Sequence, residues 1–485
     1  MNQPIRVISM FCLLLFVALL LNASYLMYFR SGDLAADAKN RRIIDATFSR
    51  ERGAILVGKE PVARSVPSDD EYEFQRTYPQ PLMYAPLTGY FSYYSQTGVE
   101  RSQREVLSGD DPSLFVTRLV DLLSNAEPKG GNVELTIDPA AQQAAFDGLK
   151  ALPGAKGAVV ALEPSTGKVL AMVSSPTFDP NALASHDLSA VNAETERLEE
   201  DPAIPLINRA IGTTLPPGST FKLVTAAAAI ESEDYNKDSM VPGGREFLLP
   251  QSSDTVGNYD GGDCGGAKVT LTQALAVSCN VSFLSLADEL GVEAMTEQAE
   301  AFGFNSTALE DLPGQAQSLY PPELDQPQTA LSGIGQSSVT ASPLQMAMVA
   351  AGIANGGQVM TPYVVDEVRA PNASLLDKTE ATPYSEAISS DTAAQLTEMM
   401  VATVDTGTAA VAAIPGVRVA GKTGTAQSTD SRPPYAWFVS FAPADDPQVA
   451  VAVLVEASET ARDEIAGGSL GGPIAKAIME AVMAR

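Results

Sequence analysis

From Val7 to Phe29 the chain carries no charged residue and is almost wholly apolar, with Arg6 before the run and Arg30 after it. A helix of that length matches the hydrocarbon thickness of a bilayer, where every backbone N–H and C=O must be paired within the segment. The run therefore reads as one membrane-spanning α-helix, and with no small-residue cleavage pattern after it, as a retained anchor rather than a removed signal. It splits the chain into residues 1–6 and 30–485. Charge does not orient it: Arg6 and the amino terminus stand against Arg30, Lys39, Arg41 and Arg42, softened by Asp33 and Asp37.

The chain has 485 residues, room for two or three domains and a full-sized core. Its 59 acidic and 31 basic side chains leave a formal net charge of -28, which argues against a nucleic-acid partner and against a polybasic membrane-surface patch. With one histidine and three cysteines, no metal centre can be assembled from His and Cys spacing, and no cofactor is expected. Cys12 lies inside the apolar run. If the rest of the chain lies outside the cytoplasm, oxidising conditions permit a bond between Cys264 and Cys279, with their Cα separation as the deciding geometry. His186 stands alone in a polar loop and reads as a surface residue.

Chemistry concentrates in Pro216-Pro217-Gly218-Ser219-Thr220-Phe221-Lys222, which leads into the run Leu223 to Ile230. A Pro-Pro-Gly turn before an Ala-rich run predicts a loop that ends where a buried helix begins. Residues three apart share a helix face, so the Lys222 amine can reach the Ser219 hydroxyl. A serine hydroxyl needs a neighbour to take its proton, and a desolvated lysine with a lowered pKa can do so. The pattern alone is cheap: Ser165-Thr166-Gly167-Lys168 repeats it between two apolar runs, Gly157 to Leu162 and Val169 to Val173, and reads as a hairpin turn. Two further boxes separate the copies, Ser278-Cys279-Asn280 and Lys422-Thr423-Gly424-Thr425, the second set between Val419-Ala420-Gly421 and Ala426-Gln427.

Ser-x-x-Lys, Ser-x-Asn and Lys-Thr-Gly boxes in this order are those of serine β-lactamases and penicillin-binding proteins. On these residues the chain resembles the penicillin-binding protein family and, within it, the class B monofunctional transpeptidases. Its short N-terminal region and Ala-rich, acidic composition are similar to the family's actinobacterial penicillin-binding protein A branch, which implies septal work. The resemblance places Met1 to Arg6 inside the cell and the rest outside. It implies an α+β chain: a cytoplasmic tail (1–6), a transmembrane helix (7–29), a small β-rich non-catalytic domain serving as pedestal or dimerisation unit (30–153), and a transpeptidase domain (154–485) built on an antiparallel sheet flanked by helices. In the first of these domains Asn40-Arg41-Arg42, Arg50 to Ile55, Arg76-Thr77-Tyr78-Pro79 and Thr88-Gly89-Tyr90-Phe91 resemble the family's entry motifs. They read either as a docking surface for partners or as arginines that brace the fold.

Local signals fill in the second part. Asp138-Pro139 opens a helix running to about Ala151. Glu194 to Asp201 reads as a solvated helix face. Ser332-Gly333-Ile334-Gly335-Gln336 resembles another family box beside the active site, and Ser342-Pro343-Leu344-Gln345 reads as a capping box. Ala436 to Ala442, with Trp437 as a core residue, and Val449 to Val455 read as strands, and Pro473 to Met483 as a closing helix.

The reaction that the resemblance implies is acyl transfer from peptidoglycan stem peptides ending in D-Ala-D-Ala. Ser219 attacks the carbonyl between the alanines, terminal D-Ala leaves, and an amine of a neighbouring stem resolves the acyl-enzyme. Lys222 or Ser278 is the effective base, and Ser278 passes a proton to the leaving amine. Asn280 holds the substrate amide and fixes Lys222. Lys422, Thr423 and Thr425 receive the terminal carboxylate, and Gly424 leaves space for the peptide. The backbone N–H groups of Ser219 and Thr425 form the oxyanion hole. A D,D-carboxypeptidase, with water as acceptor, is the alternative; a β-lactam sensor needs a signalling half, for which the one span and the short tail Met1 to Arg6 leave no room, and a scaffold is expected to lose a box. Residues 30–153 are too few for a glycan polymerase, so a separate multi-spanning polymerase is an implied partner, beside the lipid-linked precursor and β-lactam antibiotics.

Overall fold

The computed structural model of the protein describes residues 2–30, 45, 47–114, 129–259, 261–426, 433–460, 462 and 465–484. Asn40 to Arg42 and Gln427 lie outside the described residues. Asn2–Phe29 is one helix whose described apolar side chains are exposed, and the most apolar 18 residues of its Gln3–Tyr28 stretch have a mean hydropathy of 2.5. It has the length and composition of a single-pass membrane anchor.

Two large sheets carry most of the rest of the described residues, beside three two-stranded ones. The larger is a six-stranded sheet in the order Leu375–Lys378, Val365–Arg369, Asn132–Leu135, Ile55–Val57, Glu60–Pro67, Phe74–Thr77. Ile55–Val57 and Asn132–Leu135 run parallel, the other neighbours antiparallel. Its first two strands come from far along the chain, so this sheet is closed by a hairpin inserted from the second part.

The core of the N-terminal region is organised by a buried charge. Glu100, fully buried, accepts from Arg52 Nε at 2.6 Å on one carboxylate oxygen, and from Arg76 Nε at 2.6 Å and the Tyr78 hydroxyl at 3.1 Å on the other. The same guanidinium groups donate onward to the carbonyls of Glu100 and Gly53, and Arg52 lies over the Phe91 ring at 4.4 Å. Arg52 and Arg76 are thus braces within the fold. Burial works to raise the Glu100 pKa, but the Arg76 and Arg52 charges and hydrogen bonds outweigh it and hold the carboxyl below its usual value.

The second sheet is wholly antiparallel, in the order Ala420–Ala426, Tyr435–Ala442, Val449–Ala457, Lys156–Leu162, Val169–Ser175. Alternation along its strands feeds two cores. Val159, Ala161, Val451, Val453 and Phe438 pack with Ala145, Leu149, Ile474 and Ile478 of the helices Pro139–Lys150 and Gly467–Met483. Ala158, Val160, Ala452, Trp437 and Val439 pack on the other face with Leu223, Ala227, Met348 and Met399 of the helices Lys222–Glu231, Pro343–Ala354 and Ser390–Asp405. The helix at Pro139 starts as its sequence predicts, with Asp138 accepting from the Ala141 N–H at 2.7 Å. Residues 163–168 form the expected hairpin turn, and Lys168 there pairs with Asp366 rather than with Ser165.

Two expectations need correction. Ser342 caps its helix, accepting from the Gln345 N–H at 3.1 Å, but the Gln345 amide donates to the Phe302 carbonyl at 2.7 Å instead of folding back, so only half a capping box forms. A complete box forms instead between Asp325 and Gln328. His186 is not a free surface residue: it pairs with Asp70, and its ring lies 5.0 Å from Tyr72 and 5.3 Å from Phe48. These aromatic residues come from the N-terminal region, too distant in sequence to be foreseen as its cover.

Removing one partner from a buried ion network leaves the others uncompensated. Glu100→Ala is expected to destabilise the N-terminal region by about 3–5 kcal/mol, measured by thermal unfolding of the full-length protein in detergent. Because the Glu100 pKa is lowered on folding, its contribution is complete above the ordinary carboxylate range and is lost as pH falls through the lowered value. The gap between wild type and Glu100→Gln therefore narrows in acid.

Candidate active site

Ser219 lies in a single 3₁₀ turn, Gly218–Thr220, directly before the α-helix Lys222–Glu231. The turn is held on three sides. Gly218, at φ 54°, donates its N–H to the Gly335 carbonyl at 3.1 Å, which places the Ser332 to Gln336 segment against it. Trp437 Nε1 donates to the Pro216 carbonyl at 2.9 Å, tying the Pro-Pro-Gly entry to the sheet. Phe221 is buried between Phe304 and Tyr320, with ring centroids at 5.5 and 5.7 Å. At Gly424 a Cβ would stand 2.9 Å from Thr220 Cγ2, 3.0 Å from the Pro217 carbonyl oxygen and 3.0 Å from Trp437 Cβ. The space foreseen there for a peptide is taken by the serine turn itself; what this glycine permits is the close approach of strand and turn.

Lys222 is fully buried, and its Nζ donates to the Ser278 carbonyl at 2.7 Å, to Asn280 Oδ1 at 2.8 Å and to Ser278 Oγ at 3.2 Å. Two of these partners are acceptors only, whereas the hydroxyl can also donate. Lys222 in its neutral form thus satisfies the first two and keeps a lone pair to receive a proton. No hydrogen bond joins Lys222 to Ser219 among the described residues. The amine is held by the Ser278 to Asn280 box, and Ser219 is half-buried. Burial first, and then the nearby charge of Lys422, push the Lys222 pKa well below its usual value.

Lys422, also fully buried, donates to Ser278 Oγ at 2.9 Å and to the Thr423 carbonyl at 2.9 Å. Burial lowers its pKa to about 7. Ser278 Oγ therefore sits between two amines. Ser278 adopts φ 61°, a left-handed conformation uncommon for a residue with a Cβ. In that conformation both its hydroxyl and its carbonyl reach Lys222. Cys279 is bonded to Cys264 across a Cα separation of 5.7 Å. Thr423 lies on the same strand, and its hydroxyl pairs with that of Thr408 at 2.7 Å. Thr425 stands beyond Gly424, half-exposed at the end of the edge strand.

Hydrogen bonds link Lys222, Ser278, Asn280, Lys422 and the Thr423 carbonyl, the disulfide joins Cys264 to Cys279, and Gly424 lies against the Ser219 turn; no such bond ties the Ser219 side chain or Thr425 to them among the described residues. Sequence reasoning missed the supports: Trp437 as a donor to the serine turn, Thr408 on Thr423, and the loop carrying Asn258 and Cys264. Of these only the cysteine offered a signal in the sequence. Among the described residues no group of His, Cys, Asp and Glu side chains is arranged to hold a metal ion.

The penicillin binding protein transpeptidase domain family matches residues 157–480. The chain belongs to that family. The penicillin binding protein A dimerisation domain matches residues 52–133, and with it the chain is a class B penicillin-binding protein. It is 44% identical over 491 residues to the peptidoglycan D,D-transpeptidase PbpA of Mycolicibacterium smegmatis, covering 100% of this chain and 99% of that one. It is 43% identical over 499 residues to the PbpA of Mycobacterium tuberculosis, with the same coverage. The crystal structure of penicillin-binding protein A from M. tuberculosis in its ceftriaxone acyl-enzyme complex superposes with a TM-score of 0.87 at 42% identity, over 90% of this chain and 100% of that one. Gly424 sits where the Ser219 turn meets the sheet. Gly424→Ala is expected to cost about 1–3 kcal/mol of stability through overpacking and to slow penicillin acylation about tenfold or more by displacing Ser219. Thermal melting and stopped-flow acylation check the two effects.

Proposed function

We infer that this protein is a D,D-transpeptidase that cross-links peptidoglycan stem peptides through an acyl-enzyme on Ser219. The observation that carries the reading is the hydrogen-bonded line Lys222 Nζ, Ser278 Oγ, Lys422 Nζ, with half-buried Ser219 in the turn that leads into Lys222. Neutral Lys222 takes the Ser219 proton as Oγ attacks the carbonyl between the two D-alanines. Ser278, in contact with both amines, passes a proton to the departing D-Ala nitrogen. Asn280 fixes Lys222 through Oδ1. Lys422, Thr423 and Thr425 take the terminal carboxylate. The Ser219 and Thr425 N–H groups stabilise the oxyanion, each donor contributing about 3 kcal/mol. An amine from a second stem then resolves the ester, which conserves the peptide-bond energy without a nucleotide.

The same reading puts residues 1–6 in the cytoplasm and the catalytic domain outside, boundaries near residues 30 and 154, and a separate multi-spanning glycan polymerase as partner. The Cys264–Cys279 bond supports the extracytoplasmic side, since disulfides persist in oxidising compartments.

The test is acylation of the full-length protein in detergent by a fluorescent penicillin, followed by turnover of a D-Ala-D-Ala stem peptide with an amine acceptor. Labelling that persists for hours, disappears in Ser219→Ala, and accompanies cross-linked product supports the reading. No labelling of the wild type, or labelling that survives in Ser219→Ala, overturns it. Release of D-Ala with hydrolysed peptide alone would make the protein a carboxypeptidase.

A pH dependence follows from the two lysines. Acylation needs neutral Lys222, so its rate rises as pH increases through that residue's depressed pKa. Binding of the carboxylate needs charged Lys422, which loses its proton near pH 7 in the free enzyme. The second-order acylation constant should therefore fall above about pH 7, and Lys422→Ala should lose that alkaline limb along with affinity.

A further inference from the structure

The segment from Gly243 to Cys264 holds the Ser278-Cys279-Asn280 box at three points. The Gly257 carbonyl accepts from Asn280 Nδ2 at 3.0 Å, Cys264 is bonded to Cys279, and Asn258 reaches the start of the helix Asn280–Ala301. Asn258 Oδ1 accepts from the backbone N–H groups of Asn280 at 2.9 Å and Val281 at 3.3 Å, and Cys279 Sγ lies 3.7 Å from the same oxygen. Its Nδ2 donates to the Gly244 and Gly262 carbonyls, both at 2.9 Å. Only this orientation of the amide satisfies all four partners: turned over, the NH₂ would face two N–H groups and the oxygen two carbonyls.

A helix leaves its first N–H groups without intrahelical acceptors, and a side chain just before the helix normally supplies one. Here that residue is Cys279, which makes no side-chain cap because its sulfur is used in the disulfide. Asn258 caps the helix from outside it. Asn280 is thereby fixed through its backbone N–H by Asn258 and through its side-chain nitrogen by Gly257. That leaves Oδ1 aimed at Lys222 Nζ, 2.8 Å away. Ser278, held at φ 61°, depends on the same anchorage, because a left-handed non-glycine residue persists only where its surroundings enforce it.

We propose that Asn258 is a positioning residue for acylation: by capping the Asn280 helix it sets the acceptors that hold Lys222 beneath Ser219. Its action is indirect. Without the cap, the Asn280 N–H loses its acceptor, the box relaxes, and the direction of the Lys222 lone pair is no longer fixed. The proposal rests on the reading of Ser219 as nucleophile, so labelling of the wild-type protein by fluorescent penicillin, and its loss in Ser219→Ala, is measured first. Failure there is a failure of that reading, whatever Asn258 does.

With wild-type labelling in hand, the decisive experiment is the acylation rate of full-length Asn258→Ala and Asn258→Asp as a function of penicillin concentration, with thermal melting of each. Asn258→Ala, melting cooperatively, is expected to lose about 10- to 100-fold in the rate at saturating penicillin, as a misplacement of order 1 Å would cause, while its half-saturating concentration stays within about two-fold. Asn258→Asp keeps the acceptor for the two N–H groups but loses the donors to Gly244 and Gly262. It should melt lower yet acylate within about three-fold of wild type. A folded Asn258→Ala that acylates at the wild-type rate overturns the proposal, as does a loss confined to half-saturation. An Asn258→Asp variant that is folded but slowed tenfold or more also overturns it. Should Asn258→Ala fail to melt cooperatively, the Asp variant decides by the same criterion.

Discussion

Two lysine side chains buried against one serine hydroxyl are the constraint on which the transpeptidase half depends. A buried ammonium costs several kcal/mol unless its donors are matched, and two of them beside each other repel. The site meets this cost by giving each amine fixed acceptors and by letting its pKa fall. Lys222 gains the Ser278 carbonyl and Asn280; Lys422 gains the Thr423 carbonyl; Ser278 Oγ is shared. Strongly shifted pKa values of this kind cluster at functional sites, in keeping with the roles proposed for the two lysines. Burial pushes the Lys222 pKa well below its usual value and the Lys422 pKa to about 7, which in both favours the neutral form whose lone pair can accept a proton.

The surrounding architecture keeps that arrangement rigid. The serine turn is pinned by the sheet through Trp437 and Gly424, and by the Gly335 carbonyl on its flank. The lysine acceptors are pinned by a disulfide and a borrowed helix cap. The supports come from separate stretches of chain. Preorganisation of this kind lets a hydroxyl attack without paying for reorientation at the moment of reaction. A different buried charge, Glu100, plays the corresponding part in the N-terminal region, where two arginines and a tyrosine converge on one carboxylate.

Much of this was legible from local pattern, because helix and strand periods are properties of neighbouring residues. The apolar run, the Asp138 cap, the hairpin around Ser165 and the three boxes all depend on spacings of a few positions. The errors share a cause as well. Gln345 turned to Phe302 and His186 was covered by aromatic rings, each because a partner distant in sequence offered a better bond or contact.

The sequence by itself determined which chemical groups the protein owns and the order in which it presents them. A serine, two lysines, a second serine and an asparagine in three boxes admit few reactions, whatever the fold. Tertiary structure decided which of these groups touch, which are dry, and which hold a proton. Desolvation and hydrogen-bond geometry are properties of the whole packed chain. Nothing in Lys222 or Lys422 as letters carries a lowered pKa, and nothing near Asn280 announces that its helix is capped by Asn258.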